Sequence, residues 1–494
     1  MATHNNNPLS VPNARRGQKS PGKPDLSAGG LVKLALPRLR LFHSMNLESY
    51  AQVWTKDDHW ETYAIRSRQF GEWLMGMSYC VYKLPPSLSA VEMAKGTLAA
   101  QAKLEREREV HVRVAEGRSG EMLIDLGNKK WNAVRITPEG YSLQEVYYPI
   151  FWRPVGLKML PDPIAGGSID ELRPFLNLRD EDQWILSVAW LLGALRDQGP
   201  YPICVLEGPH GSAKSTATRI LRRIIDPNMS DIRAEPSSLR DLMIAANNSH
   251  VLAFDNLSYL PVWLADALCR LSTGGGFATR KLYSDAEEQI FQSTRPVLLN
   301  GIEMGVDRGD LLDRSISLSL SVIPDTQRQP EREFWEKFER ALPRILGAVY
   351  KLMADGLRRL PTTFTPGLPR MADFARFVCA VEPSLGWPEG AFLRAYERNR
   401  AESNSVVLEN SDLAEPICHL VEQGPWEGTA TSLQFALATM DHGEGRQFAI
   451  PDTPKKIAAA LRRLEPGLRK VGIFIDYKRT AGSDSKRIIT IHRF

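Results

Sequence analysis

The sequence predicts an α/β core with a helical lid, set between an α+β module and a C-terminal domain of helices ending in a basic hairpin. Three observations carry that reading. The chain has 494 residues, and at roughly 150 residues per domain that is about three domains. Pro202 to Leu206 is a short apolar run, followed by a glycine-containing loop and a helical pattern from Lys214, the order that opens a parallel sheet. Ser249 to Asn256, Arg295 to Asn300 and Ser315 to Val322 are further strand-like runs at parallel-sheet spacing.

Composition narrows the class. Hydrophobic residues make up 43 % and charged residues 24 % of the chain, which excludes a mostly disordered or fibrous protein. The longest apolar stretch, Trp184 to Leu195, is shorter than the roughly 20 residues of a bilayer span, so no membrane association is expected. Cys80, Cys204, Cys269, Cys379 and Cys418 form no CxxC pair. That argues against a disulfide scaffold or a cysteine zinc site and suits the cytoplasm.

Residues 1–30 read as a disordered tail without the apolar stretch of a signal peptide. Residues 31–160 read as the α+β module. Tyr50 to Trp54 and Trp60 to Ile65 are strands around a polar turn. Ser67 to Met77 and Ala90 to Glu109 are helices, and four alternating segments between Val110 and Val146 form a meander. No catalytic motif stands out there. Leu160 to Gly167 reads as a linker. The core is expected over 161–330, with helices Ile169 to Leu176 and Glu181 to Arg196 ahead of its first strand.

The loop is Gly208-Pro209-His210-Gly211-Ser212-Ala213-Lys214-Ser215-Thr216. Against GxxxxGK[ST], Gly208, Lys214 and Ser215 match in spacing. Phosphate binding needs small residues whose backbone N–H groups curl around an anion, a lysine reaching the β/γ oxygens, and a hydroxyl for magnesium. Ala213 stands where the pattern has glycine. A lone match also fits a glycine loop that merely caps a helix, so the residues downstream decide. Asp255 ends an apolar strand 41 residues after Lys214, where a carboxylate can hold a Mg²⁺ water shell. Asn300 ends the next strand, where an amide can orient an attacking water. In Asp307 to Arg314, Arg308 or Arg314 can reach a neighbouring subunit's nucleotide and neutralise transition-state charge.

This order resembles the AAA+ ATPases, and within them the superfamily 3 helicases of viruses, phages and plasmids. The compact span from Lys214 to Arg314, the amide Asn300, and Leu271 to Tyr283, a glycine turn followed by basic residues, carry the resemblance. It implies ATP and Mg²⁺ as cofactors, and Arg280 and Lys281 as DNA contacts. It also implies a homo-oligomer such as a hexameric ring, since a finger arginine works only across a subunit boundary. Asn256 departs from the family, which has a glutamate after the metal-binding aspartate. An amide positions water but cannot take its proton. Either a carboxylate such as Glu207, Asp285, Glu287 or Glu288 serves instead, or turnover is slow, or the protein is a nucleotide switch. Leu368 to Ala375 resembles a segment of ATP-binding proteins carried by prophages and integrative elements, with Arg370 or Arg376 as a second sensor arginine.

Residues 331–403 read as the helical lid, in helices Glu331 to Arg340, Pro343 to Arg359, Ala372 to Val381 and Pro388 to Ser403. Residues 404–494 read as the C-terminal domain. Asp412 to Gln423 is a helix, a second opens near a Thr431 cap, and a third runs from Thr453 to Leu464 with proline in its first turn. Lys455, Lys456, Arg462 and Arg463 share one face of the third helix; Ile457, Leu461 and Leu464 share the other. Strands Ile473 to Arg479 and Lys486 to His492 come after it. From Thr453 onward the net charge is +8, against −4 for the rest of the chain, an electrostatic footprint for a polyanion. Three helices and a basic hairpin resemble a winged helix. That implies the third helix in a DNA groove and Lys486 and Arg487 near phosphates.

These features converge on an ATP-dependent DNA helicase or translocase in replication of a mobile element, acting on single-stranded or forked DNA. A primase or polymerase would be its partner. Two alternatives remain: an ATP-binding switch or loader that does not unwind DNA, and a DNA-binding regulator with a vestigial nucleotide site.

Overall fold

A computed structural model describes residues 24–55, 57–146, 148, 150–280, 288–291, 293–301, 309–365, 367–409, 411–440, 448–480 and 487–493. The chain divides into two compact units, Met1–Val110 and His111–Phe494. No helix among the described residues is long and apolar enough to cross a membrane.

In the first unit, helices Ala28–Ala35, Arg68–Tyr82 and Leu88–Ala102 each start at a serine. The hydroxyls of Ser27, Ser67 and Ser87 accept the backbone N–H of the third helical residue at 3.1, 3.1 and 3.2 Å. Strands Leu39–His43, Ser49–Trp54 and Trp60–Ala64 form an antiparallel sheet in chain order. Trp54 faces Trp60 across the expected turn. Leu31, Ala51, Val53, Phe70, Leu74 and Leu98 form the core.

The second unit begins inside the span read as one N-terminal module. Strands Val114–Glu116, Met122–Asp125, Asn132–Thr137 and Gly140–Glu145 make an antiparallel meander. Their apolar face shares a core with helices Glu181–Ala194 and Glu331–Arg359. The stretch read as a linker lies with its backbone against helix Glu331–Arg359. Ile164 N donates to Pro343 O at 2.8 Å. A Cβ on Gly347 would lie 1.9 Å from Ile164 O, so only glycine permits that approach.

The centre of this unit is a parallel sheet in the order Leu252–Leu257, Val297–Gly301, Ile203–Glu207, Ser315–Ser319. Arg233 adds a further parallel bridge to Phe254 at the outer edge. Its N–H donates to Ala253 O and its carbonyl accepts from Asp255 N, both at 2.9 Å. Alternation sorts side chains to two faces. Cys204, Leu206, Ile316 and Leu318 pack with helices Glu181–Ala194 and Lys214–Ile225. Ile203, Val205, Phe254 and Leu299 pack with helices Leu239–Asn247 and Val262–Thr273. All four strands therefore end at one edge of the sheet, where ligands bind in open α/β sheets.

Helix Glu331–Arg359 runs unbroken through Pro343, where the sequence predicts two helices. Buried contacts on both sides of the proline, from Phe338 to Leu346, outweigh the roughly 3 kcal/mol that an interior proline costs. Helices Ala372–Val381 and Ala391–Glu409 complete this region.

At the C-terminal end, helices Ala414–Glu422, Ala430–Thr439 and Pro454–Lys470 precede strands Ile473–Arg479 and Arg487–Arg493. The second helix is capped by Thr429, not Thr431. Thr429 and Ser432 exchange side-chain-to-backbone bonds in a capping box. Ile457, Leu461 and Leu464 are buried as expected.

Candidate functional site

The loop after strand Ile203–Glu207 turns on three residues with positive φ: Gly208 at 153°, Gly211 at 77° and Ala213 at 64°. A Cβ on Gly208 would meet Leu320 O at 2.7 Å. Ala213 is left-handed directly ahead of helix Lys214–Ile225. Holding alanine there costs roughly 1–2 kcal/mol, partly offset because glycine gains unfolded-state entropy worth about 0.4–1 kcal/mol. Ala213→Gly is therefore expected to stabilise the protein by about 0.5–1 kcal/mol, read as a raised midpoint of thermal unfolding. A lowered midpoint would mean that the methyl group packs favourably.

Lys214 folds over this loop, its Nζ donating to Gly208 O at 2.6 Å and Pro209 O at 2.9 Å. Burial pushes its amine pKa down while the Asp255 charge pulls it up. Ser215 Oγ donates to Asp255 Oδ1 at 2.8 Å. Pro209 and His210 are exposed, and Thr216 is half-buried on the first turn of the helix. Ser212 is buried, and its Oγ has no hydrogen-bond partner among the described residues. Asn177 braces the loop from behind, donating to Ser212 O at 3.4 Å and to Ser321 O.

Asn300 is 1 % exposed. Its Oδ1 accepts from Asn256 N at 3.0 Å and its Nδ2 donates to Thr218 Oγ1 at 2.8 Å. In this structure the amide ties two strand ends to the helix behind the loop. Asn256, left-handed at φ 56°, is exposed beside Asp255. Both line an open cleft of about 470 Å³ with Arg233, Glu235 and Tyr259. Glu207, half-buried at the strand end before the loop, has its carboxyl pKa pushed up by burial.

Arg314 does not stand free: its Nη1 donates to the carbonyl and carboxylate of Asp310. Arg370 joins the same cluster, 3.2 Å from Asp310 and 3.8 Å from Asp313, which also pairs with Arg400 at 2.7 Å. Arg376 donates to Leu360 O at 2.9 Å and Thr363 O at 3.2 Å, closing the end of a helix rather than facing the loop. Arg280 ends strand Phe277–Arg280, whose partner is Glu288–Phe291. Lys281, Arg308, Asp285, Glu287 and Lys486 lie outside the described residues.

Motif reading missed Arg328. Its Nη2 lies 3.5 Å from where a Cβ on Gly211 would sit, and it pairs with Asp325 at 3.0 Å. It lies in a polar stretch without periodicity, so no sequence signal marks it.

On the C-terminal helix, Lys455, Lys456 and Arg462 are exposed. Lys456 pairs with Asp452 at 2.8 Å, and the Arg462 guanidinium lies 5.7 Å from the Tyr477 ring centre. Arg463 is on the same helix. Arg487 sits directly opposite Arg479 across the strand pair, both exposed. Like charges so placed repel, and a bound anion would relieve them.

Residues 169–398 match the family described as actinomycete integrative conjugative element replication protein, and residues 413–494 match the AICE RepA C-terminal domain. Over these two regions the chain is similar to the replication proteins of integrative conjugative elements. No curated protein matches it. Among solved structures, the A-form apo NrS-1 C-terminal region is 13 % identical with a TM-score of 0.42, over 95 % of this chain and 100 % of that one. An apo structure of NrS-1 residues 305–718 is 14 % identical with a TM-score of 0.41, over 94 % and 98 %. A small-molecule complex of the JCV helicase is 15 % identical with a TM-score of 0.22, over 42 % and 61 %.

Proposed function

We propose that the chain is a replication protein of an integrative conjugative element and acts as an ATP-dependent DNA helicase or translocase, with an AAA+ P-loop core, a helical lid and a C-terminal winged helix. The observation that carries the reading is the Ser215–Asp255 contact at 2.8 Å beside Lys214. A hydroxyl and an ammonium from a helix start and a carboxylate from a strand end 40 residues away meet at the sheet edge where such ligands bind. The loop 208–216 holds the phosphates of ATP, and Lys214 exchanges its loop carbonyls for phosphate oxygens.

The donor set fits Mg²⁺, since Ser215 and Asp255 offer oxygen only. No group of three or more His, Cys, Asp and Glu comes together as metal ligands among the described residues. Ser215 and Asp255 would hold a magnesium ion beside the phosphates. It would neutralise charge on the phosphates. Arg308 and Arg314 belong to one short stretch of sequence, and Asp310 holds Arg314 and Arg370 in place. In a ring these arginines face the next subunit's nucleotide.

The test is ATP turnover by the full chain with and without single-stranded DNA. A motor shows turnover that rises on adding DNA. Asn256, an amide where a carboxylate is expected, favours the second reading, a switch or loader; its signature is ATP binding with slow, DNA-independent turnover. A regulator with a vestigial site binds no ATP.

The basic C-terminal face is proposed to grip DNA phosphates through Lys455, Lys456, Arg462, Arg463 and Arg487, alongside Arg280, Lys281 and Lys486. Affinity for duplex DNA then falls steeply with salt. Changing Lys455, Lys456 and Arg462 together to alanine is expected to reduce the slope of log K against log [salt] by about 2–3. An unchanged slope in a fluorescence-anisotropy titration would place the DNA elsewhere.

A further inference from the structure

Hydrolysis of ATP requires a proton acceptor for the attacking water, and Asn256 cannot be one. We infer that Glu235 is the general base, an assignment that rests on the ATPase reading above.

Arg233 pairs with Phe254 as a parallel bridge. Asp255 N donates to Arg233 O at 2.9 Å, two residues before Glu235. The segment carrying Glu235 therefore runs beside the strand end that carries Asp255 and Asn256, and all three line the same open cleft. Neighbouring strands lie about 5 Å apart, well within the reach of a glutamate side chain. Glu235 is exposed and has no ion pair or hydrogen bond from its carboxylate among the described residues. It is therefore not committed to holding the fold.

The competing carboxylate is Glu207. It ends strand Ile203–Glu207, which is separated from the Asp255 strand by Val297–Gly301. That places it about 10 Å across the sheet from Asp255, on the side where the phosphate loop begins. In-line displacement puts the attacking water on the far side of the γ-phosphorus from the loop-bound β-phosphate. The cleft beside Asp255 is lined by Glu235 and not by Glu207.

The step balances without an added reagent. Glu235 takes one proton from water as the oxygen forms its bond to the γ-phosphorus. The bond between the γ-phosphorus and the bridging oxygen breaks, and its electron pair leaves with ADP. The proton then passes from the glutamic acid to solvent. Asn256, its backbone N–H fixed by Asn300 at 3.0 Å, orients the same water through its amide.

The experiment compares the wild-type full chain with Glu235→Gln, Glu235→Asp and Glu207→Gln. It measures binding of a fluorescent ATP analogue and ATP turnover across pH. Glu235→Gln is expected to bind the analogue within about threefold of wild type and to turn over roughly 100-fold more slowly or worse. The acidic limb of its pH–rate profile disappears. Glu235→Asp restores part of the rate together with that limb, and Glu207→Gln stays within a few-fold of wild type. Turnover by Glu235→Gln within threefold of wild type overturns the assignment, as does a wild-type chain that binds ATP and never hydrolyses it. A wild-type chain that binds no ATP instead overturns the ATPase reading itself. If Glu235→Gln does not fold, a Glu235→Asp variant with wild-type rate and pH profile overturns the assignment.

Discussion

Lys214→Ala is expected to abolish nucleotide turnover while leaving the protein folded. Lys214 makes two bonds, both to carbonyls of its own loop, so it ties together no distant elements and its loss leaves no buried charge unpaired. With nucleotide bound, the same ammonium makes charge-assisted bonds to phosphate oxygens, each worth roughly 1.5–3 kcal/mol. Losing two such bonds weakens binding at least about 100-fold. Loss of charge stabilisation in the transition state lowers kcat/KM by roughly a further 10²–10³. Titration with a fluorescent adenine nucleotide and a turnover assay measure both effects, and thermal unfolding checks that the midpoint is close to wild type. A variant that binds ATP as the wild type does would remove the basis of the proposed function, because Lys214 is the ammonium that folds over this loop.

The parallel sheet was legible because each strand is an apolar run ending in a polar residue. The observed strands Ile203–Glu207, Leu252–Leu257 and Val297–Gly301 lie within a few residues of the expected ones. The Ser215–Asp255 contact was legible for the same reason: a strand tip and a helix start are placed by the fold, not by their neighbours in sequence. The edge segment at Arg233 was not legible. Residues 231–235 contain one strong apolar side chain, Ile232, and no alternation, and their pairing comes from tertiary packing alone. Glu235 was hidden with it. Asn300 illustrates the opposite limit: its position at a strand end was readable, but the orientation of its amide toward Asn256 and Thr218 depends on partners 44 and 82 residues away. The basic helix face was readable from helical spacing. The opposition of Arg479 and Arg487 was not, because hairpin register depends on turn geometry as well as on the apolar pattern.

Arg113→Ala is expected to cause the largest loss of stability. Arg113 is fully buried. Its Nε pairs with Asp226 Oδ1 at 3.1 Å, its Nη1 donates to Asp125 O at 2.7 Å, and its Nη2 donates to Lys158 O at 2.6 Å. Asp226 sits at the end of helix Lys214–Ile225, where the helix dipole disfavours a negative charge. Its Oδ2 accepts from His250 N at 2.8 Å and Val251 N at 3.2 Å, just ahead of strand Leu252–Leu257. One guanidinium thus joins the antiparallel meander, the helix behind the phosphate loop and the Asp255 strand. Removing it strands a buried carboxylate, at a cost of roughly 3–5 kcal/mol. Burial alone would raise the Asp226 pKa, but Arg113 and Arg222 outweigh it and hold the carboxyl below its usual value. A group depressed on folding stabilises above its unfolded pKa, about 3.9 for aspartate, and that stability is lost as pH falls through the folded pKa. His250, held neutral by burial with its pKa down to about 4, adds to the same acid limb. Its unfolded form binds a proton below about pH 6.5, so stability declines from there downward. Urea unfolding of the wild type between about pH 3 and 8 is expected to show this decline. In Arg113→Ala, the Asp226 contribution fails at higher pH and the unfolding midpoint is lower throughout. A variant that lost less than about 1 kcal/mol would mean that Arg222 alone neutralises Asp226 and that the three-way junction does not depend on Arg113.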